Sequence, residues 1–300
     1  IIYFSYNEFV TSISNFILLF IRFKISLIDF FSTLYKSGKD ITIYYQSYFI
    51  FIIYMNPLTN QPYSSKYNTI KKQWENLPAQ QPKIISEFQS MLKNNDLILV
   101  TASTGAGKST QIPKHIINHF IKERGDTNFT LVCTQPRRSA ARKLAERLSD
   151  ELDVTLGKEV GYQYRGTNRR RGNTTLSFVT DGTLLQEAYK DMLDKYSCII
   201  IDEAHERSVQ IDILLYFLKK ALLRKDNKLK VIIMSATIQL EIFEDYFKYL
   251  NVKDQKKSDI KYDKINVEGR AYPVKSYYLS EPLKIHYINK AVDIVKLIIK

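Results

Sequence analysis

Residues 97–110 constrain this chain of 300 residues more than any other stretch. Leu97-Ile98-Leu99-Val100 reads as a short buried strand, a loop containing Gly105 and Gly107 follows, and a helix is predicted from about Lys108 to Lys122. Strand, glycine loop and helix in that order build a P-loop. The glycines let successive backbone N–H groups turn inward around phosphates, and the helix N-terminus adds partial positive charge at the same place. Lys108 is expected to reach the β- and γ-phosphates of a nucleoside triphosphate, and the Ser109 hydroxyl to ligate Mg²⁺. Thr104, Gly105, Ala106, Gly107 and Thr110 complete the nucleotide-binding set. Ala102 stands where such loops usually carry their first glycine; a methyl group is accepted there if φ stays negative. A glycine loop without a ligand is the competing reading, and the flanking strand and helix speak against it.

A second segment supplies complementary chemistry. Cys198-Ile199-Ile200-Ile201 is an apolar run short enough for a buried strand, and Asp202-Glu203-Ala204-His205 sits at its end. Parallel sheets bind ligands at the carboxyl ends of their strands. Asp202 is expected to hold Mg²⁺, partly through water, and Glu203 to orient or deprotonate the water that attacks the γ-phosphate. His205 is too far along to be a first ligand of the metal; sensing the nucleotide state for a neighbouring domain is the role expected of it.

Strands are predicted at 97–102, 129–134, 175–180, 197–202 and 230–235, and helices at 108–123, 138–151, 182–190, 208–224 and 239–249. A further helix, Gln80–Lys93, follows from the spacing of Ile84, Ile85, Phe88, Met91 and Leu92. Fully apolar strands alternating with helices predict an α/β fold, a parallel β-sheet flanked by helices on both faces. Asn251–Lys264 is polar and charged and reads as an exposed loop, after which Tyr272–Leu279 begins a new strand and Tyr287–Lys300 a new helix.

Four more segments lie in order along the chain: Thr134-Gln135-Pro136-Arg137-Arg138, Thr180-Asp181-Gly182-Thr183, Ser235-Ala236-Thr237 and Gly269-Arg270-Ala271-Tyr272-Pro273-Val274. Together with the first two they make a series that resembles the DEAH-box RNA helicases, a branch of superfamily 2, and is most similar to their spliceosomal and ribosome-biogenesis members. The lead segment of those proteins is echoed in Asn56-Pro57-Leu58-Thr59 and Ser65-Lys66-Tyr67, so the resemblance covers about residues 56 to 300. It implies a RecA-like domain over 80–268 behind a polar lead, 55–79, and the start of a second RecA-like domain over 269–300. It also implies ATP and Mg²⁺ as cofactors, ATP hydrolysis coupled to movement on single-stranded RNA, and a nuclear or cytoplasmic location without secretion. Carried onto matching positions, it puts Arg137, Arg138, Arg165 and Thr180 at the RNA backbone, Arg147 on the adenine, and Ser235 and Thr237 in the coupling of hydrolysis to domain movement. Guanidinium groups suit phosphates and purine faces, although an arginine such as Arg147 is by itself more often solvated, and Thr180 by itself more often a helix N-cap. One departure is Gly166 after Arg165, where the family usually has Phe. Arg169-Arg170-Arg171 follows soon after and reads equally as an RNA contact or a solvated loop.

Lys+Arg 44 against Asp+Glu 31 leaves the chain at +13, a balance suited to a polyanionic partner. The two cysteines, Cys133 and Cys198, fall inside predicted strands, as buried free thiols in a reducing compartment would. His115 and His119 share a helix face without a placed acidic partner, so no metal cluster is read there. Residues 1–54 contain no Ala, Pro, His, Cys, Trp or Met. Their apolar runs are short for a bilayer span of about 20 residues, and they lack a signal peptide's basic start and cleavage site. The favoured reading is upstream AT-rich DNA read in frame, with translation starting at Met55.

The family's working unit closes two RecA-like domains around ATP and RNA, and no Gln-Arg-x-Gly-Arg run is present here. The chain is therefore expected to be a fragment with slow hydrolysis, since arginine fingers in related NTPases are worth about 10³–10⁵ in rate. An activating protein cofactor would bind outside it. A helicase-derived RNA-binding scaffold without turnover and a DNA-directed translocase are the alternative functions.

Overall fold

The computed structural model describes residues 55–300 except 104, 126–127, 225–227, 237–239, 252–255, 270–274, 276–277, 279–286 and 300. The expectations for residues 1–54, for Thr104 and Thr237, and for almost all of the strand at Tyr272–Leu279 lie outside the described residues. The elements run α1 (Tyr67–Lys71), α2 (Pro82–Asn94), β1 (Leu97–Ala102), α3 (Lys108–Arg124), β2 (Leu131–Gln135), α4 (Arg138–Leu152), β3 (Val160–Tyr164), β4 (Thr167–Arg169), β5 (Leu176–Thr180), α5 (Asp181–Tyr189), β6 (Cys198–Ile201), α6 (Val209–Leu222), β7 (Lys230–Ser235), α7 (Glu241–Lys248), β8 (Tyr262–Val267) and α8 (Tyr287–Ile299). These strands form one eight-stranded sheet in the order β8-β1-β7-β6-β2-β5-β3-β4, parallel throughout except for the antiparallel β3–β4 hairpin; two short antiparallel pairs, Met55–Asn56 with Gln61–Pro62 and Tyr249–Asn251 with Lys256–Lys257, lie apart from it. This is the expected α/β architecture.

Alternation along β1 explains why Leu97-Ile98-Leu99-Val100 is apolar throughout. Ile98 and Val100 join the core beneath α2, α3 and α4, while Leu97 and Leu99 join the core beneath α5, α6 and α7. A sheet covered on both faces has no solvent side for polar residues. Phe120 of α3 is fully buried and stacks on Phe129 with centroids 5.0 Å apart; burying a side chain of this size stabilises the fold by roughly 1.5–3 kcal/mol. Ser208 caps α6 by accepting a hydrogen bond from the Ile211 N–H at 3.2 Å, which satisfies one of the helix's unpaired donors. Cys133 and Cys198 are buried and unbridged, and burial pushes both thiols up.

The loop expected over Asn251–Lys264 is corrected in two places: Asn251 closes a short strand, Tyr249–Asn251, that pairs antiparallel with Lys256–Lys257, and its end belongs to β8. Tyr262–Val267 is a strand that pairs in parallel with β1, Tyr262 opposite Leu97 and Val267 opposite Ala102. It is an edge strand: Ile265 and Val267 are buried while Asp263, Lys264 and Asn266 are exposed. Charged residues on an edge discourage pairing with another chain, and they also hide the apolar run that marks inner strands. The β3–β4 hairpin, absent from the five strands predicted from apolar runs, extends the opposite edge.

The polar lead packs onto the domain. Asn56 is buried, and its amide donates to the Leu152 and Asp153 carbonyls at 2.7 and 2.9 Å, occupying acceptors that the end of α4 leaves open. Ser64 donates from its N–H and its hydroxyl to the Asp153 carboxylate at 2.6 and 2.7 Å. Trp74, Pro78 and Ala79 are buried against α3 and the glycine loop. Among the described residues no helix is long and apolar enough to cross a membrane.

Candidate active site

Strand order assembles the site. β1, β7, β6 and β2 are consecutive neighbours in the sheet. At their carboxyl ends they carry, in turn, the glycine loop, Ser235, Asp202 and Gln135. Ala102 ends β1 as a buried strand residue and is not among the residues with positive φ, so the methyl group in place of glycine is accommodated. Gly107 has φ +91, a conformation that favours glycine, and a Cβ there would lie 2.9 Å from the tip of the Leu77 side chain.

Lys108 opens α3 with a buried side chain, and its Nζ lies 2.6 Å from Glu203 Oε1 and 3.8 Å from Asp202 Oδ1. Asp202 is fully buried. Its Oδ2 accepts from the Gln135 amide at 2.7 Å and its Oδ1 from the Glu203 N–H at 2.9 Å. Burial pushes the Asp202 carboxyl up, while Lys108 and a hydrogen bond from Ser109 pull it down. Glu203 takes φ +54, a left-handed conformation uncommon outside glycine and often found where function holds the backbone in place.

The donor set fits a hard cation. A buried carboxylate and a serine hydroxyl are oxygen ligands, and Mg²⁺ characteristically takes one or two protein oxygens plus phosphate and water. Among the described residues no group of three or more His, Cys, Asp and Glu side chains could hold a metal ion.

His205 joins this centre to the end of β7. Its Nδ1 accepts from the Ala236 N–H at 3.3 Å, and its Nε2 lies 3.4 Å from Glu203 Oε2. The accepting role of Nδ1 leaves the ring proton on Nε2, facing Glu203. Ser235 is fully buried at the end of β7.

Arg137, Arg138 and Arg165 are exposed and Thr180 is half-buried, with Thr180 ending β5 opposite Gln135. Thr180 occupies the N-cap position of α5, yet its hydroxyl pairs with the Thr183 hydroxyl at 2.8 Å instead of a helix N–H. Gly166 has φ +84 in the two-residue turn between β3 and β4. A turn of this shape favours glycine, which accounts for the missing Phe.

Arg170 answers neither reading of its triplet. Its side chain is about nine-tenths buried and forms an ion pair with Glu187. It also donates to Gln163 Oε1 at 2.7 Å and to the Tyr196 hydroxyl at 2.8 Å. Arg147 is exposed at the rim of a cavity of about 660 Å³ lined by Ile70, Gln73, Asp150 and Glu151, and its Nε lies 2.7 Å from Glu151 Oε1. His115 and His119 are buried against Ala79 and Gln89, in keeping with a core role.

Several residues at this end had no role assigned from sequence: Gln135, which steadies Asp202, and Trp74, Leu77, Lys114 and Glu151. The motif order flags Gln135; long-range packing alone identifies the others.

Asp181 carries a pH dependence. Burial lifts its carboxyl to about 6, the Thr134 hydroxyl opposes this, and the negative charges of Glu206 and Asp202 add to it. Its folded value lies above the unfolded one, so its contribution to stability is present below about pH 4 and is lost as pH rises through 6. Asp181→Asn is expected to exceed the parent at pH 7 by up to about 2 kcal/mol and to lose that advantage near pH 4. Denaturant unfolding at both pH values checks this, and equal stabilities at pH 7 would count against it.

Comparison with known proteins agrees with this geometry. The DEAD/DEAH box helicase family matches residues 79–245, a span running from the buried Ala79 through the glycine loop and the Asp202-Glu203 centre into α7. A Saccharomyces cerevisiae protein described as a "putative ATP-dependent RNA helicase" is 38% identical over 225 residues, covering 73% of this chain and 14% of the yeast protein. The chain thus spans a small part of that relative's length. With the matched span covering more than half of its residues, the chain belongs to the DEAD/DEAH box helicase family.

Proposed function

We propose that this chain carries the first RecA-like domain of a DEAH-box ATP-dependent RNA helicase, hydrolysing ATP with Mg²⁺ to move on and remodel RNA. One observation carries the reading: Lys108, Ser109, Asp202, Glu203 and His205 converge at the carboxyl ends of neighbouring strands. Lys108 is paired with Glu203. A γ-phosphate carries more negative charge than one carboxylate, so it can draw Lys108 away from Glu203. Glu203, released, is then free to orient the attacking water and take its proton. Mg²⁺, when bound, neutralises charge on the β- and γ-phosphates; Ser109 and Asp202 are the residues that would hold it. His205 spans Glu203 and Ala236, so loss of the γ-phosphate contact would be felt at the Ser235-Ala236-Thr237 motif, the proposed link to domain movement.

The RNA track is assigned to exposed Arg137, Arg138 and Arg165 with Thr180 at the sheet's carboxyl edge. Replacing Arg137 or Arg138 with alanine is expected to weaken single-stranded RNA binding and to cut the slope of log affinity against log salt by about 0.7 per residue. Salt titrations of binding check this, with DNA of the same sequence as competitor to test whether the 2′-OH is read. Unchanged slopes in both variants would remove the arginines from the track, and equal binding of DNA would favour a general translocase.

A further inference from the structure

Residues 74–80 sit between two parts of the nucleotide site, outside or at the very start of the span shared with the family, which begins at residue 79. On one side they touch the glycine loop. Leu77 lies so close to Gly107 that a Cβ there would come within 2.9 Å of its Cδ1. The Ala79 N–H donates to the Ala106 carbonyl at 3.1 Å, and the Ala79 carbonyl pairs with His115 Nε2 at 2.8 Å.

On the other side they reach a buried charge cluster. Trp74, the one tryptophan of the chain, lies with its ring centroid 3.3 Å from Lys114 Nζ. Lys114 pairs with Glu151 Oε2 at 2.5 Å, both side chains almost wholly buried. Gln80 donates to Gln111 Oε1 at 2.6 Å, and Gln111 donates to the same Glu151 Oε2 at 3.1 Å. The second oxygen, Oε1, receives Arg147 Nε at 2.7 Å. Both oxygens of one buried carboxylate are therefore engaged, and its orientation is fixed. A buried ion pair adds little stability over an apolar pair of the same volume. What this one supplies is a fixed direction for Arg147 at the cavity rim.

We propose that residues 74–80 form a positioning clamp for bound nucleotide: Leu77 and Ala79 fix the phosphate loop, and Trp74 fixes, through Lys114 and Glu151, the arginine that meets the base. The proposal rests on the reading of Arg147 as the nucleobase contact, and the test separates the two. A cation over an aromatic face is held most strongly when desolvated, as Lys114 is. A carboxylate that shares two cations holds each of them only while it keeps its charge and reach.

The experiment measures the affinity of the full 300-residue chain for ATP–Mg and for tripolyphosphate–Mg, which has no base, in the parent and in Arg147→Ala, Glu151→Gln, Glu151→Asp and Leu77→Ala, with melting temperatures beside each. Arg147→Ala and Glu151→Gln are expected to weaken ATP about fivefold to tenfold and to leave tripolyphosphate unchanged. Glu151→Asp keeps the charge but not the reach to both cations; it is expected to weaken ATP in the same selective way, and it serves if Glu151→Gln does not fold. Leu77→Ala is expected to weaken both ligands together, by about fivefold. If Arg147→Ala weakens ATP selectively while both Glu151 variants match the parent, the base arm of the clamp is overturned and the nucleobase reading stands. If Arg147→Ala leaves ATP binding unchanged, the nucleobase reading itself fails. Equal loss of both ligands in the Glu151 variants, tracking a fall in melting temperature, would reduce the cluster to general stability and overturn the clamp, as would parent-like binding of both ligands by Leu77→Ala.

Discussion

Replacing Glu203 with glutamine is expected to lower ATP turnover by roughly 10²–10⁴-fold while ATP–Mg binding stays equal or becomes tighter. Glutamine has nearly the same shape but cannot accept the proton of the attacking water. It also relieves Lys108 of its 2.6 Å partner, so a phosphate no longer has to compete with a carboxylate for that ammonium group. The two effects have opposite signs, which makes the variant informative. Phosphate release by the full-length protein in the presence of RNA, together with nucleotide titration, measures both. A variant that keeps turnover within threefold of the parent would take Glu203 out of the hydrolysis step and favour a scaffold that binds RNA without turnover.

Removing Lys108 has a different signature. Lys108→Ala deletes the only cation for which the structure gives an ion-pair distance to Asp202 or Glu203 among described lysines and arginines. Nucleotide affinity is expected to fall by about 10²-fold, the loss of one charge-assisted bond to phosphate of roughly 1.5–3 kcal/mol. Stability should also fall, because Asp202 is fully buried and then lacks its nearest positive charge. Breaking a buried pair from one side typically costs about 3–5 kcal/mol. The low end applies here, since Glu203 is partly exposed and Gln135 still donates to Asp202. Glu203→Gln should show neither loss. Denaturant unfolding of the two variants therefore separates a positioning charge from a reacting one, and a Lys108→Ala protein as stable as the parent would refute the electrostatic part of this argument.

The inner strands were legible because each is mostly apolar, as a doubly covered parallel sheet demands, with the few polar residues such as Ser177 and Thr134 buried. β1 and β7 coincide with the residues predicted for them, and the other predicted strands and helices within the described residues agree within two residues at either end. Edge elements were not legible. β8 mixes Asp263 and Lys264 with Ile265 and Val267, and the hairpin strands contain Gly161, Gln163 and Asn168, so neither edge presents the uninterrupted run that signals burial. Arg170 was misread for a related reason. Three arginines in a row read as solvated or RNA-facing, while Glu187 and Tyr196, which capture the middle one, lie further along the chain. Trp74 and Lys114 likewise give no local signal of their pairing.

The sequence by itself determined the proposed chemistry: which residues are expected to hold phosphates, oxygen-ligate a cation and orient water, and in what order they occur along the chain. That much is local, because a glycine loop between a strand and a helix, or carboxylates at the end of an apolar run, carry their meaning in a few adjacent residues. Only the tertiary structure decided that β7 and β6 lie between β1 and β2. That order brings Lys108 to Glu203 and Gln135 to Asp202, and sets His205 between Glu203 and Ala236. Strand order depends on how all the helices cover both faces at once, a property of the whole packed domain that no short stretch of residues encodes.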